Sequence, residues 1–482
     1  MTAPIFSFIS DFQHIVDGKK RGSKTTSNVV NPTTEEVLAN VPVADRELLD
    51  ETVAAASRAF PAWASVPIET RQAAVAKLGD LMNEKVNEFA DLLIKEVGKN
   101  RELATIEAGS CGPWLHGLAG ASLPEEVLLD NDNRTVVTRY VPHGVCAAIT
   151  PWNFPLSLMV WKLAPALVAG NCVIVKPSPF APLCAIKFVE LAQQVLPPGV
   201  LSVLSGDDEL GPWISTHPGI SRISLTGSIA AGKSIMRNAA SNLMSLTLEL
   251  GGNDPALVYP DVDPKSLAPK LFWSSFHNTG QICCSIKRVY IHEDVYEAVR
   301  DELVAYAKTV KIGNCLDPDV GMGPVQNRVQ FDKVKSYIDD CHANGYAFSL
   351  GGDTIQGPDS KGFFLPISIV DCPPQESRIV QEEQFGPILP LLKWKDEDKV
   401  IKQMNDGPYG LTATVWTNDL DHAQMISKRL DAGTVWINES QLFHWDHPFG
   451  GVKHSGIGVE HGRQGLLSWT NIQTVALTKA RT

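Results

Sequence analysis

Two adjacent cysteines in Gly280-Gln281-Ile282-Cys283-Cys284-Ser285 are the first residues whose types and spacing suit chemistry. A thiol with a pKa of about 8.5 is mostly protonated at neutral pH, so a working cysteine needs a helix N-terminus, a cation or a base beside it. Without such a neighbour the pair reads as small buried hydrophobes. Thr150-Pro151-Trp152-Asn153-Phe154-Pro155 ends a predicted strand, at the edge of an open α/β sheet where ligands bind. Its two prolines stiffen the loop, and the Asn153 amide offers N–H groups to an oxyanion; a local Asx turn is the plain alternative. Glu249-Leu250-Gly251-Gly252 ends another apolar strand, where desolvation raises a carboxyl pKa toward that of a general base; a solvated rim is the other reading.

Gly227-Ser228-Ile229-Ala230-Ala231-Gly232-Lys233-Ser234 satisfies the phosphate-loop pattern of Gly, four residues, Gly-Lys-Ser between a strand and a helix. In a P-loop NTPase, Lys233 would reach the terminal phosphates and Ser234 would hold magnesium. Gly227, Ser228 and Gly232 equally let the backbone approach a dinucleotide pyrophosphate at a helix N-terminus. No strand ending in a magnesium-binding Asp follows, and such an NTPase has no use for Cys283, Asn153 and Glu249. Lys176-Pro177-Ser178-Pro179 ends a further strand and offers an ammonium to ribose hydroxyls; a surface lysine in a stiff turn is the alternative. Glu383-Gln384-Phe385-Gly386-Pro387 sets an acid and an aromatic ring before a strand, suited to gripping a ribose and flanking a planar ring, or forms a structural turn.

These segments need a scaffold, and the periodicity supplies one. Strand-length apolar runs alternate with helix-length amphipathic runs, the pattern of an α/β protein with parallel sheets covered by helices. Residues 67–99 read as one long helix. Strands are expected at 145–149, 173–176, 201–204, 222–225 and 245–249, with helices at 156–169, 185–195, near 210 and at 230–238. After Asp261 a second series has strands at 288–291, 412–416 and 433–437 and helices at 295–308, 330–344 and 420–430. Residues 134–141 and 467–477 fit neither series and read as ribbons pairing with a neighbouring subunit, or as ordinary edge strands.

The whole-chain figures agree. A chain of 482 residues, 44% hydrophobic and 20% charged, is long enough for two or three domains. With 42 Lys and Arg against 54 Asp and Glu, its net charge of −12 argues against nucleic acid or an anionic membrane as partner. Apolar runs such as 159–169 fall short of the ~20 residues of a membrane span. Nine cysteines without Cys-x-x-Cys spacing suit a reducing compartment and give no metal site. Asp11 and Asp17 sit where a secretory signal would be basic or apolar, and Lys479-Ala480-Arg481-Thr482 is no peroxisomal address, so cytoplasm is the expected location.

In order and spelling, TPWNFP at 150–155, ELGG at 249–252, GQICC at 280–284, EQFGP at 383–387 and PFGG at 448–451 resemble the aldehyde dehydrogenase superfamily over nearly the whole chain, from about Val29. The resemblance implies a Rossmann-like NAD(P)-binding domain (1–120 and 143–251), a catalytic α/β domain (252–454) and a small β oligomerisation arm (121–142 and 466–482). It implies Cys283 as nucleophile, Asn153 as oxyanion amide, Glu249 as general base, and Lys162 with Glu460 as a relay behind that base. Cofactor contacts would come from Ile149, Thr150, Pro151, Trp152, Lys176, Ser178, Pro179, Gly227, Ser228, Gly232, Leu250, Glu383 and Phe385. The implied reaction converts an aldehyde through a cysteine thiohemiacetal and thioester to the carboxylic acid, without a metal. Many NAD-preferring relatives carry an acid where Pro179 stands, so use of both NAD and NADP is expected. Phe154, Leu158, Trp161, Ile282, Cys284, Phe443 and Phe449 would line the substrate tunnel, a set that favours a hydrophobic or aromatic aldehyde. A homodimer or homotetramer is expected, and a cofactor-independent thiol esterase is the rival enzyme.

Overall fold

The computed structural model describes residues 8–353 and 361–479. The first seven residues of the expected cofactor domain and residues 480–482 of the expected arm lie outside them. Two sheets organise the chain. One has eight strands, in the order Gly456–Ile457, Ser245–Glu249, Arg222–Thr226, Val145–Ile149, Cys172–Lys176, Leu201–Val203, His14–Val16, Lys19–Arg21. Its five middle strands are parallel and its margins antiparallel. Val145–Ile149 and Cys172–Lys176 are buried at every residue, because helices cover both faces. Helix Ser157–Ala169 is apolar nearly all round and accordingly almost wholly buried.

The other sheet has seven strands, in the order Ala347–Leu350, Ser368–Asp371, Ile388–Trp394, Ile286–His292, Asp254–Val258, Thr412–Trp416, Thr434–Ile437. Two of these central strands were absent from the sequence reading. Asp254–Val258 carries Pro255 and Ile388–Trp394 carries Pro390, and proline normally argues against an interior strand. The ladder accommodates Pro255 by a register shift beside Asp254.

The single helix expected over 67–99 is two, Ile68–Asn83 and Val86–Val97, broken at Glu84-Lys85. Both pack on helix Arg101–Ala119, so their apolar spacing continues across the break and hides it from a periodicity argument. The segment 467–477 begins as the end of helix Gly462–Leu467 and turns into strand Thr470–Thr478. That strand pairs with Arg134–Pro142, which also pairs with Glu126–Asp130, in a three-stranded sheet separate from both large ones. No described helix is long and apolar enough to cross a membrane.

Candidate active site

Helix Pro264–Phe276 delivers the cysteine loop. After it the backbone turns left-handed at three successive residues, Asn278 (φ 51°), Thr279 (φ 60°) and Gly280 (φ 74°). A Cβ on Gly280 would lie 2.3 Å from the Gly386 carbonyl oxygen, so glycine is required there. Such a backbone persists only when its surroundings over-determine it. Here Asn278 Nδ2 donates to the Asn153 carbonyl (3.2 Å), Thr279 Oγ1 to the Gly323 carbonyl (3.0 Å) and Gln281 Nε2 to the Asn278 carbonyl (2.8 Å). Cys283 is thereby held half-buried in the wall of a cavity, with Cys284 buried beside it.

The neighbour a working thiol needs is present. Lys287, buried at the start of strand Ile286–His292, donates to the carbonyls of Cys283 (2.7 Å) and Ile282 (2.9 Å). A hydrogen bond from the Cys284 thiol and the Lys287 ammonium hold Cys283 below the usual thiol range, against the opposing effect of burial. The same thiol–thiol bond, with burial, pushes Cys284 well up.

Asn153 Nδ2 donates to the Gln281 carbonyl at 2.9 Å. An amide has two N–H donors, so one is left for an oxyanion beside Cys283. Glu249, at the end of its strand, is buried, and both its carboxyl oxygens lack a partner among the described residues. Burial, then the charge of Glu460, pushes its pKa well above the carboxylate range. Behind it Lys162 donates to Glu460 (2.5 Å) and Thr226 Oγ1 (2.7 Å), while Ser224 Oγ donates to Glu460 (3.0 Å). A buried carboxyl at the cavity wall thus backs onto a connected set of proton-holding groups.

The stretches assigned to a dinucleotide gather at the carboxyl edge of the eight-stranded sheet. Ile149, Thr150, Pro151 and Trp152 leave one strand, and Lys176, Ser178 and Pro179 leave the next. Gly227 and Ser228 precede helix Ile229–Ala239, whose Gly232 packs so closely on Leu250 that a Cβ would meet it at 2.7 Å. From the other sheet, Glu383 accepts from Gly252 N–H (3.1 Å), and the Phe385 ring meets Trp152 edge-on at 5.4 Å. The donor set fits a nicotinamide nucleotide: among the described residues the buried Thr150 hydroxyl has no partner and the buried Lys176 ammonium has only the Pro177 carbonyl, at 3.5 Å. The phosphate-loop reading does not survive. The helix starts at Ile229 with Ser228 as its cap, so Gly232-Lys233-Ser234 already lie within it and Lys233 is exposed.

The cavity measures about 720 Å³ and brings together Cys283, Asn153, Glu249 and Glu460 with Phe154, Leu158, Trp161, Ile282, Cys284, Phe443 and Phe449. Lys162 stands one hydrogen bond behind its wall. Trp161 stacks on Trp114 (5.0 Å) and contacts Phe443 (5.4 Å), which meets Phe449 (5.3 Å). His461, pushed down to about 4 by burial, is a neutral ring 4.4 Å from Trp161.

Sequence reasoning missed several of these residues. Lys287 had one signal, a pair of cations, Lys287-Arg288, at the start of a buried strand. Glu107 had none: its carboxylate accepts from Leu156 N–H (3.0 Å) and Ser157 N–H (3.2 Å), and it pairs with fully buried Lys99, whose ammonium lies 3.2 Å from the Phe154 ring centroid. This pair fastens the loop that carries Asn153.

The aldehyde dehydrogenase family model matches residues 19–475. The chain is 41% identical over 468 residues to aldehyde dehydrogenase LUC3 of Fusarium sp, covering 97% of this chain and 99% of that one. Among solved structures it is similar to betaine aldehyde dehydrogenase of Staphylococcus aureus in complex with NAD+, with a TM-score of 0.95 and 31% identity over 98% of this chain and 96% of that one. It is also similar to 3,6-anhydro-L-galactose dehydrogenase in complex with NADP, with a TM-score of 0.93 and 32% identity over 97% and 99%. None of these likenesses supports a P-loop NTPase or a cofactor-free esterase. The chain belongs to the aldehyde dehydrogenase family and oxidises an aldehyde with NAD or NADP.

Proposed function

We propose that Cys283 is the nucleophile that takes a hydrophobic or aromatic aldehyde to its carboxylic acid. The observation that carries this reading is the meeting of Cys283, Asn153 and Glu249 in one cavity with aromatic walls. The Cys283 thiolate adds to the carbonyl carbon, and the free Asn153 N–H with the Cys283 backbone N–H holds the oxyanion. A bound nicotinamide nucleotide supplies the hydride acceptor that turns the thiohemiacetal into a thioester. Lys176 and Glu383 would hold its ribose hydroxyls, and Trp152 and Phe385 would lie against its planar parts. Glu249, whose raised pKa makes it an effective proton acceptor, activates the water that hydrolyses the thioester. Its proton passes toward Glu460 and Lys162.

The cavity lining supports an apolar substrate: Trp114, Phe154, Leu158, Trp161, Phe443 and Phe449 line it beside the catalytic groups, with polar side chains such as Lys270, His277, Asn438 and Gln441 elsewhere on its wall. On this reading residues 1–120 and 143–251 bind the cofactor, 252–454 form the catalytic domain, and 121–142 with 466–482 form the oligomerisation arm. Exposed Val127, Leu128, Ile472 and Leu477 on the three-stranded sheet support a homodimer or homotetramer built through it. Nine cysteines without a disulfide among the described residues suit the cytoplasm. Cys283→Ala is expected to abolish oxidation, read as appearance of reduced nicotinamide, while cofactor binding persists. Substantial turnover of aldehyde by that variant would refute the assignment.

A further inference from the structure

We infer that Asp207 and Asp208 make this chain select NAD and reject NADP, doing from a neighbouring loop what the missing acid at position 179 does not. The inference rests on the cofactor reading above and adds the specificity determinant. Strand Cys172–Lys176 runs parallel to Leu201–Val203, with Val175 opposite Val203 and Leu204 N–H donating to the Val175 carbonyl at 2.9 Å. The chain after Lys176 and the chain after Leu204 therefore leave the same sheet edge side by side. Lys176 is only 7% exposed, and among the described residues its ammonium has one weak acceptor, the Pro177 carbonyl at 3.5 Å, so it is poised for a ligand group. Asp207 and Asp208 are exposed on the adjoining loop, and the first is oriented by the Glu209 N–H donating to its Oδ1 at 3.2 Å.

Their charges reach the lysine. Burial lowers the Lys176 pKa, and the carboxylates of Asp208 and Asp207 are the charges that oppose this; among the described residues no second cation acts on it. A 2′-phosphate carries about −1.5 to −2 charges at neutral pH, by analogy with a phosphorylated side chain. Set beside Lys176, it would face two carboxylates without the additional basic residue that accommodates such a group. A ribose 2′-hydroxyl, by contrast, is uncharged and can donate to a carboxylate.

The test titrates the apoprotein with NADH and with NADPH, following nicotinamide fluorescence, and measures kcat/KM for NAD and NADP with one aldehyde. Wild type is expected to favour the non-phosphorylated nucleotide by roughly 100-fold in both readouts, about tenfold per carboxylate. Asp207→Asn with Asp208→Asn is expected to tighten NADPH by about tenfold or more and weaken NADH severalfold. Asp208→Glu, which keeps the charge, should retain the preference, and added salt should narrow the wild-type gap. Equal binding of both nucleotides by wild type, or a ratio unmoved in the double variant, would overturn the inference and leave the oxidation chemistry standing. Failure of wild type to bind either nucleotide would bring down the cofactor reading itself.

Discussion

Cys283 works as a thiolate only if its surroundings pay the cost of charging a sulfur that is half withdrawn from water. Two groups do so: the Cys284 thiol donates to it, and Lys287 brings a positive charge within hydrogen-bond distance of its carbonyl. The sign of the effect is testable. A lowered thiol pKa keeps the thiolate populated at lower pH, so the rate of Cys283 alkylation by iodoacetamide should reach half its plateau below about pH 8.5, the midpoint of an ordinary cysteine. Lys287→Met should move that midpoint upward, and Cys284, whose pKa is raised, should stay unlabelled throughout. Peptide mapping after timed labelling reads both. At this scale the sequence was legible where a residue type has one chemistry at one kind of position: a cysteine, an asparagine and a glutamate at strand and helix ends. It was silent on Lys287, because a lysine's influence on a thiol depends on which carbonyls its flexible side chain finds.

The elements place these groups by their ends. Asn153 follows and Glu249 ends a strand at the carboxyl edge of one sheet, and Cys283 precedes a strand of the other. Strand existence was readable for most of the buried apolar runs, but not where Pro255 and Pro390 interrupt them, nor for short or marginal strands such as His14–Val16, Val37–Pro42, Ala347–Leu350 and Ser368–Asp371. The braces between elements were not readable, because they join residues far apart in the chain. Glu107 bonds the N–H groups of Leu156 and Ser157 about 50 residues on. Glu107→Gln leaves the Lys99 ammonium buried without its counter-charge, and breaking such a pair typically costs about 3–5 kcal/mol. Urea denaturation should report a loss of that order, with a lower kcat from the loosened Asn153 loop. Lys99→Met combined with Glu107→Gln should recover most of the stability, because no buried charge is then left unpaired and the amide carbonyl introduced at position 107 can still accept from the Leu156 N–H.

At the scale of the whole molecule, the residues proposed as the reaction centre meet where the two sheets face each other. Trp152 meets Phe385, Gly252 meets Glu383 and Asn153 meets Gln281 across that junction. The sequence showed two α/β series, although the second sheet already takes in Asp254–Val258, ahead of Asp261 where the second series was read to start, and the resemblance in five motifs tied them together. The cavity's size and the aromatic stack of Trp114 on Trp161 emerge only from the closed fold, because Trp114 lies on helix Arg101–Ala119, where the sequence reading placed no element. The most direct measurement uses Glu249→Gln with an aldehyde and cofactor, following reduced nicotinamide by absorbance and the trapped protein by peptide mass. A single burst of about one equivalent per chain, leaving an acyl group on Cys283, is the result expected of a nucleophile whose thioester has lost its base. An acyl group on Cys284, or sustained turnover with no adduct, would contradict the account.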